Sequence, residues 1–197
     1  DVNSGTSYQG ATVFLDTDSD FSGGLSEQFK PIGNASAPFQ GTFDGQGHTV
    51  SNLKISSALG HIGLFGYSKG ATIRGVVLDS SCSFTSFYSG WTYAGGVIGE
   101  CSDCLIGGSV NIANVSFTGS TDRLCLGGIA GELSGSSSSK GVTVNNCANY
   151  GSVTQSGYTE FANIGGVAGF SGDGSSNKVY IQNSLNYGTN THNGATK

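Results

Sequence analysis

The amino-acid sequence predicts an all-β fold, a right-handed parallel β-solenoid in which short strands of successive repeats stack on one another. Its composition disfavours helix, because 34 of the 197 residues are glycine and the chain is rich in Ser, Thr and Asn, which compete for helical hydrogen bonds. No ten-residue run shows the apolar period of a helix. Four glycine-framed apolar cores recur along the chain, and such self-similarity is typical of a repeat architecture.

Residues 1–60 predict a divergent N-terminal cap and first coil. This region contains strand-like segments but departs from the later repeats, as expected of a terminal coil that must shield the core. The four residues Asp44, Gly45, Gln46 and Gly47 are typical of a hairpin turn between two of these segments.

Residues 61–197 predict one continuous solenoid domain. The cores resemble Gly-Gly-Val/Ile-x-Gly, and their closing glycines are residues 66, 99, 131 and 169. A polar turn and a second apolar stretch follow each core, and the last two of these stretches share Asn-Tyr-Gly. Strands this short gain backbone partners from neighbouring coils about 4.8 Å away, with glycines at the corners where φ is positive. The alternative is a β-propeller, for which the strands are too few and too short.

Charge and hydropathy narrow the classes of protein. The net charge is −5 with no basic stripe, which argues against nucleic-acid binding. No apolar run approaches the roughly 20 residues that cross a bilayer, so we expect no membrane span in this segment. The chain opens without a basic or apolar leader, which predicts a mature or trimmed N-terminus. Two sequons predict N-glycosylation at Asn34 and Asn114, as in a secreted or cell-surface protein.

One stretch near the N-terminus resembles a known family. The sequence from Phe39 to Val50, FQGTFDGQGHTV, followed by Leu53-Lys-Ile55 and Gly63-Leu-Phe-Gly66, is similar to the opening of the GLUG-motif repeat proteins. The upstream stretches 15–23 and 31–33 and the later glycine cores extend the resemblance over nearly the whole chain. It implies a right-handed β-solenoid in a large secreted or surface-anchored protein, with the repeats as a scaffold that is often linked to adhesion.

Acidic residues near the N-terminus form a candidate calcium site. Asp16, Asp18 and Asp20 alternate and Glu27 follows eleven residues after Asp16, so all four fall on ligand positions of an EF-hand loop. Position six is Phe21 instead of Gly, and no helices flank the loop. The alternative is a polar turn with outward carboxylates. Calcium is the one cofactor that the sequence suggests.

The sequence contains five cysteines, and it does not determine which of them form disulfides. The Cys101-Ser-Asp-Cys104 spacing lacks the second ligand pair of a zinc site and the βαβ context of a redox motif. Aligning residues 104–110 with residues 147–153 puts Cys104 and Cys147 at the same repeat position. In adjacent coils they would form either a disulfide or an unbridged buried stack, and we slightly favour the stack.

Aromatic residues are the stronger indication of binding. Phe84, Phe87, Tyr88, Trp91 and Tyr93 cluster in the second repeat, and Tyr150 and Tyr187 occupy equivalent positions in later ones. We take Trp91, Tyr93, Tyr150 and Tyr187 as candidates for contact with sugar rings or another protein. The alternative is a ladder that only stabilises the coils.

Catalytic signatures are missing from the sequence. No GxSxG, HExxH or P-loop motif occurs, His61 and His192 lack partners in sequence, and carboxylates such as Glu132 are scattered singly. Arg123 has no matching acidic cluster. We therefore predict no enzyme, the alternative being a polysaccharide lyase or glycosidase.

These observations predict a structural or adhesive surface module, a unit of a fibre, stalk or larger repeat protein. The alternative is a carbohydrate-binding or carbohydrate-degrading solenoid. The expected partners are other copies or further repeats docked end to end, because an open coil exposes unpaired backbone groups, together with glycans or surface proteins.

Overall fold

The parallel β-solenoid predicted from the sequence is confirmed. A computed structural model describes residues 1–23, 29–135, 141–172 and 178–195. Every pairing between named strands in these residues is parallel, and their one helical element is a 3-10 turn, Val2–Ser4. The structure thus contains no helix in the described ranges that is long and apolar enough to cross a membrane.

Each complete coil contains five strands. The incomplete first coil has β1 (Thr12–Phe14) and β2 (Ser19–Asp20). The second has β3 (Thr42–Asp44), β4 (Thr49–Ser51), β5 (Lys54–Ser57), β6 (His61–Ile62) and β7 (Phe65–Lys69). The third has β8 (Thr72–Arg74), β9 (Val77–Leu78), β10 (Ser83–Ser86), β11 (Thr92–Ala94) and β12 (Ile98–Ser102).

The later coils repeat this order. The fourth has β13 (Leu105–Gly107), β14 (Val110–Asn111), β15 (Asn114–Phe117), β16 (Ser120–Gly127) and β17 (Ala130–Ser134). The fifth has β18 (Val142–Asn145), β19 (Ala148–Asn149), β20 (Val153–Gln155), β21 (Tyr158–Gly165) and β22 (Ala168–Ser171). The sixth has β23 (Val179–Gln182), β24 (Leu185–Asn186) and β25 (Asn190–His192).

Equivalent strands of successive coils pair into five sheets. In chain order, sheet 1 is β1-β3-β8-β13-β18-β23 and sheet 2 is β2-β4-β9-β14-β19-β24. Sheet 3 is β5-β10-β15-β20-β25, sheet 4 is β6-β11-β16-β21 and sheet 5 is β7-β12-β17-β22. The coil containing β3–β7 runs through residues 60 and 61, so the predicted boundary between cap and repeats lies inside one coil.

Inward side chains form continuous apolar rows. In sheet 1, Phe43, Ile73, Ile106 and Val144 lie in register, and the last three are fully buried. Each buried aliphatic side chain of this size contributes about 1.5 to 3 kcal/mol. The rows explain how strands of two to eight residues stay folded, since each gains a core only from the coils on either side.

The register of the strands confirms the predicted alignment of the glycine cores. Positive φ, however, does not explain the closing glycines of these cores. Gly66, Gly99 and Gly131 stack in one column where sheets 4 and 5 meet, and none of them has positive φ. A Cβ on Gly131 would lie 2.5 Å from the backbone nitrogen of Ala94. A Cβ on Gly99 would lie 2.8 Å from the carbonyl oxygen of Tyr93. These glycines are therefore required by backbone contact between the sheets.

Positive φ is instead required at the corner between sheets 1 and 2. Gly75, Gly108, Asn146 and Asn183 occupy the same position in four coils, with φ of 63°, 55°, 55° and 48°. Glycine accepts this left-handed conformation freely, and Asn is among the side chains that tolerate it best.

An amide ladder, buried at Asn111 and Asn149 and exposed at Asn186, follows that corner. The Nδ2 group of Asn111 donates to Oδ1 of Asn149 at 2.9 Å, and that of Asn149 donates to Oδ1 of Asn186 at 2.8 Å. Each Nδ2 group also donates to the carbonyl two residues ahead in its own coil. The shared Asn-Tyr-Gly of the sequence thus marks a polar row whose hydrogen bonds hold successive coils in register.

The hairpin predicted at residues 44–47 is wrong. Strand β3 before this turn belongs to sheet 1 and β4 after it belongs to sheet 2, and both pair in parallel with other coils. Gln46 and Gly47 adopt positive φ, as in a tight turn. The turn residues are therefore those of a corner between two sheets, because turn chemistry alone does not fix the direction in which strands pair.

The predicted equivalence of Cys104 and Cys147 is also wrong. The register places Cys104 opposite Val142 and Cys147 opposite Ser109, and both cysteines are free and buried. The shared Gly-Ser-Val segments misled the alignment. Residues 108–110 lead from sheet 1 into sheet 2, whereas residues 151–153 lead from sheet 2 into sheet 3. Neither a disulfide nor a direct stack of this pair follows from the register.

The sixth coil leaves part of the core exposed. Its side chain Ile181 continues the buried row of Ile73, Ile106 and Val144 in sheet 1 but is 46% exposed. End-to-end docking with another copy or further repeats stays a prediction.

Adding one methyl group at the glycine column should weaken the fold. We expect Gly131→Ala to lower the free energy of unfolding by about 2 to 3 kcal/mol, because the backbones of sheets 4 and 5 would have to separate. Chemical denaturation followed by circular dichroism measures the change. Gly107→Ala is the matched control, since its Cβ would meet neighbours at 3.5 Å or more and its φ is not positive. Equal stability of the two variants would contradict this explanation.

Candidate functional site

The outward faces of sheets 4 and 5 line a cleft of about 570 Å³. Sheet 4 contributes His61 and Tyr93, which are paired neighbours on β6 and β11. Sheet 5 contributes Tyr67 and Glu100, which are paired neighbours on β7 and β12. The remaining walls are formed by Ala35, Ala58, Leu59, Gly60, Tyr88 and Trp91. Aromatic side chains with a few polar groups are the usual lining of a small-molecule site.

A histidine–carboxylate pair joins the two walls of the cleft. His61 Nε2 lies 2.8 Å from Glu100 Oε2, with the two side chains 24% and 18% exposed. The imidazole stacks on the Tyr93 ring at 5.2 Å and meets the Tyr67 ring edge-on at 5.7 Å. The two tyrosine rings and the Glu100 carboxylate, which accepts a hydrogen bond from the imidazole, together fix the position of the His61 ring.

The two tyrosines remain protonated at neutral pH. Burial raises the pKa of Tyr67 to about 12, and the Glu100 carboxylate adds to the effect. Burial likewise raises the pKa of Tyr93 to about 12, with a further contribution from Glu132. Both phenols are therefore available as hydrogen-bond donors and acceptors over the physiological range.

A second ion pair lies one coil further along the same seam. Arg123 Nη2 is 2.9 Å from Glu132 Oε2, although the sequence suggested no acidic partner for this arginine. The guanidinium carbon lies 5.3 Å from the ring centre of Trp91 and 5.1 Å from that of Phe170. Contacts of this kind contribute about 0.5 to 2 kcal/mol each, more where water is excluded.

The cysteine beside this ion pair is not an activated nucleophile. The Cys125 thiol donates to Glu132 Oε2 at 3.4 Å, and burial together with that carboxylate raises its pKa to about 12. Nucleophilic cysteines have lowered pKa values and a basic neighbour. Among the hydrogen bonds of the described residues, no histidine contacts a Ser, Thr or Cys side chain.

The four predicted binding aromatics fall into two groups. Trp91 and Tyr93 line the cleft. Tyr150 and Tyr187 lie beside sheet 2 and stack with ring centres 5.1 Å apart and planes 7° from parallel, which confirms their equivalent positions. The rings of this second pair cover one another in part, although Tyr150 and Tyr187 are still 50% and 67% exposed. The cleft differs in that its aromatic rings lie beside charged and polar groups.

The predicted calcium ligands are only partly described. Asp18 accepts from the backbone N–H of Thr49, which lowers the pKa of its carboxyl, and Asp20 accepts from Asn52 with the same effect. Asp16 accepts weakly from Gln46 Nε2 at 3.4 Å. Glu27 lies outside the described residues. No group of three metal-binding side chains occurs within the described ranges, and the calcium site stays a prediction.

The two sequons differ in exposure. Asn34 is half-buried, and its Oδ1 accepts from the backbone N–H of Ser36 at 2.9 Å. Asn114 lies exposed on β15, and its Oδ1 accepts from Ser152 Oγ at 2.7 Å. Glycosylation at either site stays a prediction.

The sequence analysis missed most of the charged groups in the seam. His61 lacked a partner in sequence because Glu100 belongs to the next coil, and Arg123 lacked one because Glu132 lies across the turn from β16 to β17. Aligning the repeats by their closing glycines would have identified several of the residues in the seam. The residue directly after each closing glycine faces this seam, and these residues are Tyr67, Glu100, Glu132 and Phe170.

Comparison with known proteins supports the fold. No protein-family model matches the chain, and no curated protein matches it. One solved structure is similar, a Bacteroides ovatus protein described as a "putative immunoglobulin A1 protease". It is 18% identical, the match covers 97% of this chain and 70% of that one, and the TM-score is 0.52. A likeness at this identity shows a shared fold and carries no activity from one protein to the other.

The cysteines should all be free thiols that react only after unfolding. We expect five thiols per chain when the protein is unfolded in denaturant without reductant and titrated with a chromogenic disulfide. The native protein should react very slowly at about pH 8, since all five side chains are buried and thiolates are the reactive form. A count of three after unfolding would reveal a disulfide and contradict the structure.

Proposed function

We propose that this chain is an adhesive module of a secreted or surface-anchored repeat protein, and that it binds neutral glycans in the cleft between sheets 4 and 5. The observation that carries the proposal is the combination of Trp91 and three tyrosines with the His61–Glu100 pair in one cavity. Sugar rings have apolar faces that stack on aromatic rings and hydroxyl groups that bond to carboxylates and phenols.

The shape and chemistry of the cleft fit such a ligand. Its volume of about 570 Å³ is within the range of small-molecule sites. Trp91 and Tyr88 offer exposed aromatic surface, whereas Tyr67 and Tyr93 offer phenolic hydroxyl groups. Glu100 is fixed by His61, so the acceptor does not lose rotamer freedom on binding.

The charge of the seam favours neutral over anionic sugars. Arg123 is matched by Glu132 and His61 by Glu100, which leaves a net negative seam when the histidine is neutral. The whole chain carries a net charge of −5. Uronate or sialylated glycans would meet like charges here, and such contacts are unfavourable.

The repeats support the proposal that the chain belongs to a surface protein. The β-solenoid is a scaffold whose coils add end to end, as the resemblance to GLUG-motif repeat proteins implies. A polar, sparsely charged solenoid with sequons fits an extracellular adhesive module. The solved neighbour described as a protease shares the fold, and the buried Cys125, whose thiol pKa is raised, is not activated as a nucleophile for such a role.

A glycan array followed by calorimetry tests this function. We expect selective binding of neutral oligosaccharides, weakened about 30-fold in Trp91→Ala because a central stacking residue is worth about 2 kcal/mol. Glu100→Gln should weaken binding by a smaller factor. Tyr187→Ala is the matched control, since this exposed tyrosine lies beside sheet 2, away from the cleft.

Three outcomes would contradict the proposal. The first is binding of no glycan by the wild-type chain. The second is loss of binding in Tyr187→Ala but not in Trp91→Ala, which would move the site to the tyrosine stack. The third is cleavage of a protein or polysaccharide substrate that is lost in Glu100→Gln, which would make the cleft an active site.

A further inference from the structure

Trp91 is the most exposed aromatic residue of the cleft, at 57%, yet a side chain from the next coil covers part of it. Thr92 pairs with Leu124 in sheet 4, which places the preceding residues Trp91 and Arg123 side by side. The guanidinium lies 5.3 Å from the centre of the indole ring, within the range of a cation–π contact. One side of the indole is therefore occupied by protein.

Arg123 is itself held on two other sides. Glu132 Oε2 accepts a hydrogen bond from Arg123 Nη2 at 2.9 Å, and the Glu132 side chain is only 7% exposed. Cys125 donates to the same carboxylate oxygen, which helps to fix it. Phe170, from the fifth coil, contacts the guanidinium through its ring at 5.1 Å. The guanidinium thus lies between two aromatic rings with its charge matched, an arrangement that suits the planar group of arginine.

Trp91 lines the cleft, whereas Arg123 does not. The lining residues of the cleft come from position 35 and from positions 58 to 100, all N-terminal to the coil that carries Arg123. Arg123, Glu132 and Phe170 do not line it. The cation therefore lies outside the cavity, against an indole ring that lines it.

We propose that Arg123 is a positioning residue that fixes Trp91 and leaves only the indole face toward Leu59 and Ala58 for a sugar ring. The proposal rests on the proposed glycan-binding function and deepens it, because it assigns the stacking face. A ligand bound there extends toward the N-terminal coils. A second cavity of about 480 Å³ adjoins the cleft and shares Ala58, Leu59, Gly60 and His61 with it.

Fixing the indole matters because it is exposed. A free side chain at this position would lose rotamer freedom on binding, and that loss weakens affinity. Contact with Arg123 restricts the rotamers of Trp91 when the chain folds, so this loss of freedom does not oppose binding. Lysine at this position would keep the charge beside Glu132 but would lack the flat guanidinium that stacks on the ring. Arg123→Lys therefore separates the positioning role from the ion pair.

The experiment uses the single tryptophan of the chain as its reporter. In Arg123→Lys we expect greater quenching of Trp91 emission by acrylamide and lower fluorescence anisotropy, with an unchanged melting transition. Neutral oligosaccharides found to bind the wild type should bind the variant about twofold to fivefold more weakly. Arg74→Lys is the matched control, because this arginine pairs with Asp44 on sheet 1 and should change neither signal.

The outcomes separate this proposal from the function on which it rests. Unchanged quenching and anisotropy in Arg123→Lys would overturn the positioning role. A loosened indole with unchanged glycan affinity would overturn the assignment of the stacking face. The fluorescence comparison needs no ligand. If the wild type bound no glycan, the proposed function would fail, whereas a loosened indole in Arg123→Lys would still support the contact that holds Trp91.

Discussion

The structure depends on contact between the backbones of sheets 4 and 5. Gly99 and Gly131 approach the strands of sheet 4 so closely that no side chain fits between them. Because equivalent glycines recur in the four coils that contain both sheets, the two sheets meet along a line parallel to the solenoid axis. The same spacing that stacks the coils therefore keeps the two sheets together over the length of the domain.

This line of contact also creates the seam that holds the candidate site. Side chains on either side of the glycine column are brought face to face, although they belong to different strands and often to different coils. His61 meets Glu100 and Arg123 meets Glu132 in this way, and both acids directly follow a closing glycine. Burial of charged groups is costly unless they are paired, and each of these carboxylates has a basic partner, Glu132 within its own coil and Glu100 from the coil before it. The aromatic residues then cover the pairs and line the cleft.

Much of the fold followed from the sequence, whereas of the candidate site the sequence indicated Trp91 and Tyr93 but not the charged groups beside them. The glycine cores predicted the coil repeat, because a backbone contact repeated in each coil leaves a regular mark. Asn-Tyr-Gly likewise marked a row that the structure confirms. Motif matching predicted the wrong alignment of Cys104 with Cys147, because the Gly-Ser-Val sequence occurs at two different corners of the coil. It also predicted a hairpin at residues 44–47, where the turn instead joins two sheets. The ion pairs could not be read from sequence spacing, because the register between coils brings His61 to Glu100 and the turn from β16 to β17 brings Arg123 to Glu132.

The most direct test of this account is the surroundings of the His61 ring in solution. The chain has only three histidines, so nuclear Overhauser contacts from their rings can be assigned. The account predicts contacts from the His61 ring protons to the rings of both Tyr67 and Tyr93, at centroid distances of 5.7 and 5.2 Å. A His61 ring with random-coil shifts and no contact to either tyrosine would contradict the seam between sheets 4 and 5.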